Sequence, residues 1–262
     1  MPLLRRQVHS PRFRGQGLKR RTLLLLGSGA ALAGLGLIGA PRLWLRFGPR
    51  PIFEDMAGLP GFRRLAGGQT SGGGAVALIG VDHDAERIPA SPCTGLFPER
   101  IVSGSVPVAY FSDARCIYCR TMSPMLKRME EAGEIAVAWH ELPLLSPASV
   151  VAARASIAAR AQGAFDIFHQ RLMGTPFLPT DPYLRDIARD AGIDPARLLS
   201  DMNAPFVEDE LAVSAALARR FGFIGTPGMV IGRTVVLGQL SEAALARLLA
   251  IERAEAASGP CR

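Results

Sequence analysis

The feature that most restricts the fold of this chain is a cysteine pair, Cys116-Ile117-Tyr118-Cys119, set between an apolar run and a helical pattern. Val106 to Phe111 is apolar and largely β-prone, with Pro107 near its start, and predicts a buried strand that ends at Ser112-Asp113. Beyond the pair, Tyr118, Met122, Met125, Leu126 and Met129 recur at helical spacing. Pro124 predicts a kink in that helix. Glu134 to Leu142 predicts a second strand, so the pair opens a helix inside a β-α-β unit.

That position has a chemical consequence. A cysteine at a helix N-terminus meets free backbone N–H groups and the positive end of the helix dipole, which stabilise its thiolate. A second cysteine one turn on is placed to attack a mixed disulfide on the first. Cys116 is therefore the expected nucleophile and Cys119 the resolving thiol, with Arg115 and Arg120 flanking them. Two competing readings are weaker. A zinc site needs a second cysteine pair or spaced histidines, and His9, His83, His140 and His169 show no such spacing. A purely structural bridge within C-x-x-C is strained. Met122, Met125 and Met129 suggest core packing before copper. Trp139 is expected in the core, with His140 on the opposite face.

From Pro147 to about Arg220 the chain is largely helical, with starts at Asp181-Pro182 and Asp194-Pro195. Met229 to Ile231 and Thr234 to Leu237 predict a hairpin turning at Gly232-Arg233, and Ser241-Glu242 opens a last helix. Gly225-Thr226-Pro227-Gly228 precedes the hairpin.

The 262 residues carry a net charge of +7. Ten of the 30 Lys/Arg lie in residues 1–50, which hold no Asp or Glu; the other 20 face 23 acidic residues, a net of −3. The globular part offers no basic groove, so nucleic acid is not an expected partner. Residues 1–21 read as a basic cytoplasmic segment and residues 22–40, uncharged throughout, as a signal or transmembrane anchor. Lys19-Arg20-Arg21-Thr22 resembles a twin-arginine signal, and Pro41 after Ala40 argues for an uncleaved anchor. Residues 41–100, rich in Gly and Pro, read as linker, with Ala75 to Val81 as one candidate strand. The domain is expected over residues 101–257, with an insertion at about 147–220 and a tail at 258–262.

Here the residues resemble the DsbA-like branch of the thioredoxin superfamily, from about Val106 to Ala254, including Arg160-Ala161-Gln162-Gly163 and Phe165 to Leu172. The resemblance implies an α/β thioredoxin fold with a helical insertion between the β-α-β half and the β-hairpin-α half. It implies a cis-proline at Pro227 facing Cys116 and Cys119, with Thr226 and Tyr118 as substrate-binding residues. Two positions depart from the family. Ile117-Tyr118 replaces the Pro-His of the oxidising members, and Tyr110 stands where many relatives carry a buried acid, leaving Glu141, read first as a strand-end surface charge, as a weak alternative proton acceptor. These departures leave the direction of exchange open.

Cys93 and Cys261 each follow a proline. Three readings stand for them: a bridge stapling linker to tail, an accessory thiol, or unpaired cysteines. The expected function is thiol–disulfide exchange with exported protein thiols, without a cofactor, in the periplasm at the inner membrane, with a membrane or thioredoxin-like redox partner. The alternative is a thioredoxin-fold binding or metal-delivery module in cytochrome or copper-site assembly.

Overall fold

A computed structural model describes residues 51–65, 69–72, 91–98, 104–256 and 259–261. Residues 1–21 and the proposed anchor at 22–40 lie outside the described residues, as does Ala75 to Val81. Among the described residues, no helix is long and apolar enough to cross a membrane.

Two strands form the centre: β3 (Val106–Ser112) and β4 (Ile135–Glu141), paired in parallel. Helix α2 (Ile117–Glu131) connects them. The hairpin β5 (Gly228–Ile231) and β6 (Thr234–Leu237) joins antiparallel to β3 and turns at Gly232, whose φ of 56° is left-handed. Helix α8 (Glu242–Ala254) closes this half, with the Ser241 hydroxyl capping its first turn. Between β4 and β5 lie α3 (Pro147–Arg160), α4 (Phe165–Gly174), α5 (Asp181–Asp190), α6 (Pro195–Asp201) and α7 (Pro205–Phe221). This is the thioredoxin fold with a helical insertion.

The stretch read as linker needs correcting in part. Residues Phe53–Asp55 (β1) and Arg63–Leu65 (β2) are strands, giving a six-stranded sheet of order β1-β2-β6-β5-β3-β4. Gly/Pro content hid them because each strand is only three residues long. What holds β2 against β6 is charge, not apolar pattern. The Arg63 guanidinium donates to Thr234 Oγ1 at 2.8 Å, to Glu252 at 2.6 Å and to Glu255 at 2.8 Å. A buried arginine is tolerable only when its donors are matched in this way. Its neighbour Arg64 donates to the Phe221 carbonyl at the C-terminus of α7, where a cation is favoured. Pro92–Leu96 (α1) is likewise helical, with Ser91 as its cap.

Alternation along β3 divides the core between the two faces of the sheet. Val106, Val108 and Tyr110 face α2 and α8, where Met122, Met125, Met129 and Trp139 are buried with Leu245 and Leu248. Ala109 and Phe111 face α1 and α7, packed with Leu96, Leu217 and Phe221. His140 lies on this second face, stacked on Phe111 with ring centroids 4.5 Å apart, and its Nε2–H donates to the Leu96 carbonyl at 3.0 Å. Helices α3 to α6 and the start of α7 share a separate apolar core, so the insertion packs largely on itself.

Candidate active site

Parallel pairing of β3 and β4 directs the end of β3 to one edge of the sheet, where the chain turns into α2. Asp113 shapes this turn. Its buried carboxylate accepts from the backbone N–H of Arg115 (2.7 Å), Leu144 (2.7 Å) and Leu145 (2.9 Å). Burial nonetheless raises its pKa. It ties the β3–α2 turn to the segment after β4.

Cys116 is the N-cap of α2. Its Sγ accepts from the Cys119 backbone N–H at 3.2 Å. In the protonated form the thiol donates to the Thr226 carbonyl at 3.3 Å. The Cys116 pKa falls to about 6, first because the Cys119 thiol donates to it, and then because the Ser71 hydroxyl and the Cys119 N–H also hold the anion against the cost of burial. Cys119 moves the other way: burial pushes its thiol well above the ordinary value, and a charged Cys116 pushes it further. Both side chains are buried and unbonded to each other. The two residues thus divide into one stabilised anion and one reserve proton donor.

The flanking arginines contribute less than their position suggests. The Arg115 guanidinium donates to the Pro176 carbonyl at 3.0 Å, and Arg120 Nε donates to the Ala114 carbonyl at 3.0 Å. Tyr118 is half-buried and packs with Met173 and Leu145 against the pair.

The Thr226–Pro227 peptide bond is cis, and the Thr226 carbonyl faces Cys116. Thr226 is fully buried, and Ser71 occupies both of its main-chain groups: Ser71 N–H donates to Thr226 O at 2.8 Å, and Thr226 N–H to Ser71 O at 3.0 Å.

Beneath the pair runs a buried polar chain that sequence patterns alone did not assemble. Tyr110 is fully buried; its hydroxyl donates to the Cys119 carbonyl at 3.3 Å, and burial raises its pKa, so it stays protonated. Ser123, one turn along α2 from Cys119, faces Tyr110 and lies 3.2 Å from His169 Nε2. His169 Nδ1 is 3.0 Å from Glu141. Glu141 is only 2% exposed, so its reading as a surface charge is wrong: it ends β4 facing inward toward α4. The helical periodicity of Phe165, Phe168, His169 and Leu172 is the one signal that would have turned His169 inward. Among the described residues, no group of three or more His, Cys, Asp or Glu is placed to hold a metal ion.

Cys93 and Cys261 are joined as a disulfide, with Cα atoms 5.2 Å apart.

Residues 107–250 match the family model of the DSBA-like thioredoxin domain. A thioredoxin-like oxidoreductase from Silicibacter pomeroyi is similar at 34% identity and a TM-score of 0.56, over 62% of this chain and 97% of its own. Two structures share the fold at 22% identity. One is the thiol-disulfide exchange protein alpha-DsbA2 from Wolbachia pipientis (TM-score 0.56, 68% of this chain and 98% of its own). The other is a periplasmic thioredoxin-like protein from Salmonella enterica serovar Typhimurium (TM-score 0.52, 66% and 99%). Comparison with curated proteins gave no match. Because the family model spans more than half of the chain, the protein belongs to the DSBA-like thioredoxin domain family of thiol–disulfide oxidoreductases.

Proposed function

We propose that the protein exchanges disulfides with the thiols of exported proteins, Cys116 acting as nucleophile and Cys119 as resolving thiol. The observation that carries this is the split between the two sulfurs: Cys116 is held as an anion near pKa 6 while Cys119, one turn behind it, is kept protonated. In the reducing direction the Cys116 thiolate attacks a substrate disulfide. A Cys116–substrate bond forms, the substrate S–S bond breaks, and one substrate thiol leaves with a proton. Cys119 then loses its proton and attacks Cys116. The Cys116–Cys119 bond forms, the second substrate thiol leaves, and two electrons have passed to the substrate. The oxidising direction is the same path reversed.

Protein substrates are favoured by the rim of the site. Ile117 and Ile224 flank Cys116 and Thr226 and are 63% and 79% exposed, and Phe177 and Leu178 lie exposed beyond Arg115. Thr226 beside Pro227 and the half-buried ring of Tyr118 supply the peptide-facing contacts in this reading. A periplasmic location, with residues 22–40 as anchor and a membrane or thioredoxin-like protein restoring the pair, suits the positive-inside pattern and the Cys93–Cys261 disulfide.

The test is the equilibrium of the Cys116–Cys119 pair against glutathione together with insulin reduction. A measurable two-electron potential and turnover are expected, and the potential fixes the direction. A pair that neither equilibrates nor turns over would overturn the reading.

A further inference from the structure

Cys116 presents a problem for any exchange reaction: its side chain is 0% exposed, although Ile117 beside it is 63% exposed. What covers it is local. Residues 69–72 run along the open edge of Thr226 in an antiparallel bridge. Ser71 N–H donates to Thr226 O at 2.8 Å, Thr226 N–H donates to Ser71 O at 3.0 Å, and Gln239 N–H donates to Gln69 O at 3.0 Å. The approach is close enough that a Cβ on Gly225 would stand 2.9 Å from Ser71 O, so a glycine is required there. The Thr226 carbonyl thus takes the Ser71 N–H at 2.8 Å and the Cys116 thiol at 3.3 Å together. The Ser71 hydroxyl also faces the Cys116 sulfur.

An extended chain paired to Thr226 is the geometry in which a substrate cysteine would meet Cys116. Serine differs from cysteine by one atom, oxygen for sulfur. We propose that residues 69–72 are a built-in pseudosubstrate, an extended peptide of this chain bound at Thr226 with the Ser71 hydroxyl standing where a substrate sulfur would react. The inference rests on the proposed exchange reaction and adds its regulation. A hydroxyl accepts no disulfide bond, so the strap binds without being consumed. It shields the Cys116 thiolate from small thiols and oxidants, and a substrate engages only the fraction of molecules in which it has lifted. The site's ligand class follows: an extended peptide with small residues beside its cysteine, as Thr70 and Gly72 flank Ser71.

Two variants of the full chain test this. In Ser71→Cys combined with Cys119→Ser, oxidised glutathione should first join Cys116, releasing one glutathione. The thiol introduced in the strap should then displace the second glutathione, leaving a disulfide between the strap and Cys116 that non-reducing peptide mapping detects. A strap thiol that stays free while Cys116 keeps its glutathione would overturn the proposal. Separately, Ser71→Pro removes the N–H given to Thr226 and should speed iodoacetamide alkylation of Cys116 about tenfold, the value of a hydrogen bond or two. Equal and fast alkylation in both chains would overturn the strap and leave the exchange reaction standing. A Cys116 inert in both, with no insulin reduction, would overturn the strap and the exchange reaction alike.

Discussion

The four cysteines make two pairs with opposite fates. Cys116 and Cys119 are three residues apart, buried, and unbonded; Cys93 and Cys261 are separated by 168 positions and joined. Both pairs sit near a helix N-terminus, since Cys93 lies in the first turn of α1, below the cap Ser91. Helix position therefore does not separate them. The surroundings do. Cys116 has donors on several sides: an N–H, the Ser71 hydroxyl and its partner's thiol. Cys93 and Cys261 pack against the apolar cluster around Phe221 and Phe62. In the proposed exchange, reactivity comes from groups that hold a negative sulfur. Durability comes from closing a long loop, whose open form has far more chain entropy to lose.

If that division holds, each pair can be removed without imitating loss of the other. Cys116→Ser should abolish insulin reduction, by at least about a thousandfold. Its stability should fall by no more than about 2 kcal/mol in urea unfolding. Cys93→Ser should do the reverse, costing about 2–5 kcal/mol in non-reducing urea unfolding while the folded protein keeps its turnover. Equal losses of both properties in either variant would break the comparison.

Acid should act on the two regions at different points. His140 ties β4 to α1, the helix that carries Cys93, and burial lowers its pKa from 6.5 to about 4. The neutral ring is favoured in the folded state, so the stability it contributes is full above pH 6.5 and is lost as pH falls toward 4. The loss is about 3 kcal/mol, measurable by urea unfolding across that range. A His140→Gln variant should flatten this slope. Cys116 titrates near pH 6 and reacts as the anion, so its alkylation should rise through pH 6 and level off above about 7, against about 8.5 for an ordinary thiol. Cys119 should stay unreactive across that range. The smallest effect concerns the floor of the site. Tyr110→Phe removes the hydroxyl given to the Cys119 carbonyl and should cost about 1 kcal/mol, with Trp139 still packed edge-on against the ring.

The active half of the molecule was legible because its signals are local. The apolar runs of β3 and β4, a cysteine pair at a helix start, and Thr226-Pro227 before a hairpin each occupy a few consecutive residues. What escaped depends on residues far apart in the chain. Glu141 looked like a strand-end charge because nothing near it in sequence says that His169, 28 positions later, turns inward to meet it. Strand β2 was lost within a Gly/Pro-rich stretch because its partners are Thr234, Glu252 and Glu255, all toward the far end of the chain. Ser71 lies within that same stretch, and only the fold brings it to Thr226. The bridge between Cys93 and Cys261 stood as one of three readings for the same reason.

That bridge also gives the molecule a covalent topology. Residues 93–261 form a closed ring, which residues 1–92 leave as a long tail and Arg262 as a single residue. The whole redox core lies on the ring. A single backbone cut anywhere along it, for instance at the exposed Phe177-Leu178, opens the ring but divides nothing until the disulfide is reduced. A protease that nicks the ring would release no fragment, and the Cys116–Cys119 pair would remain attached to the tail.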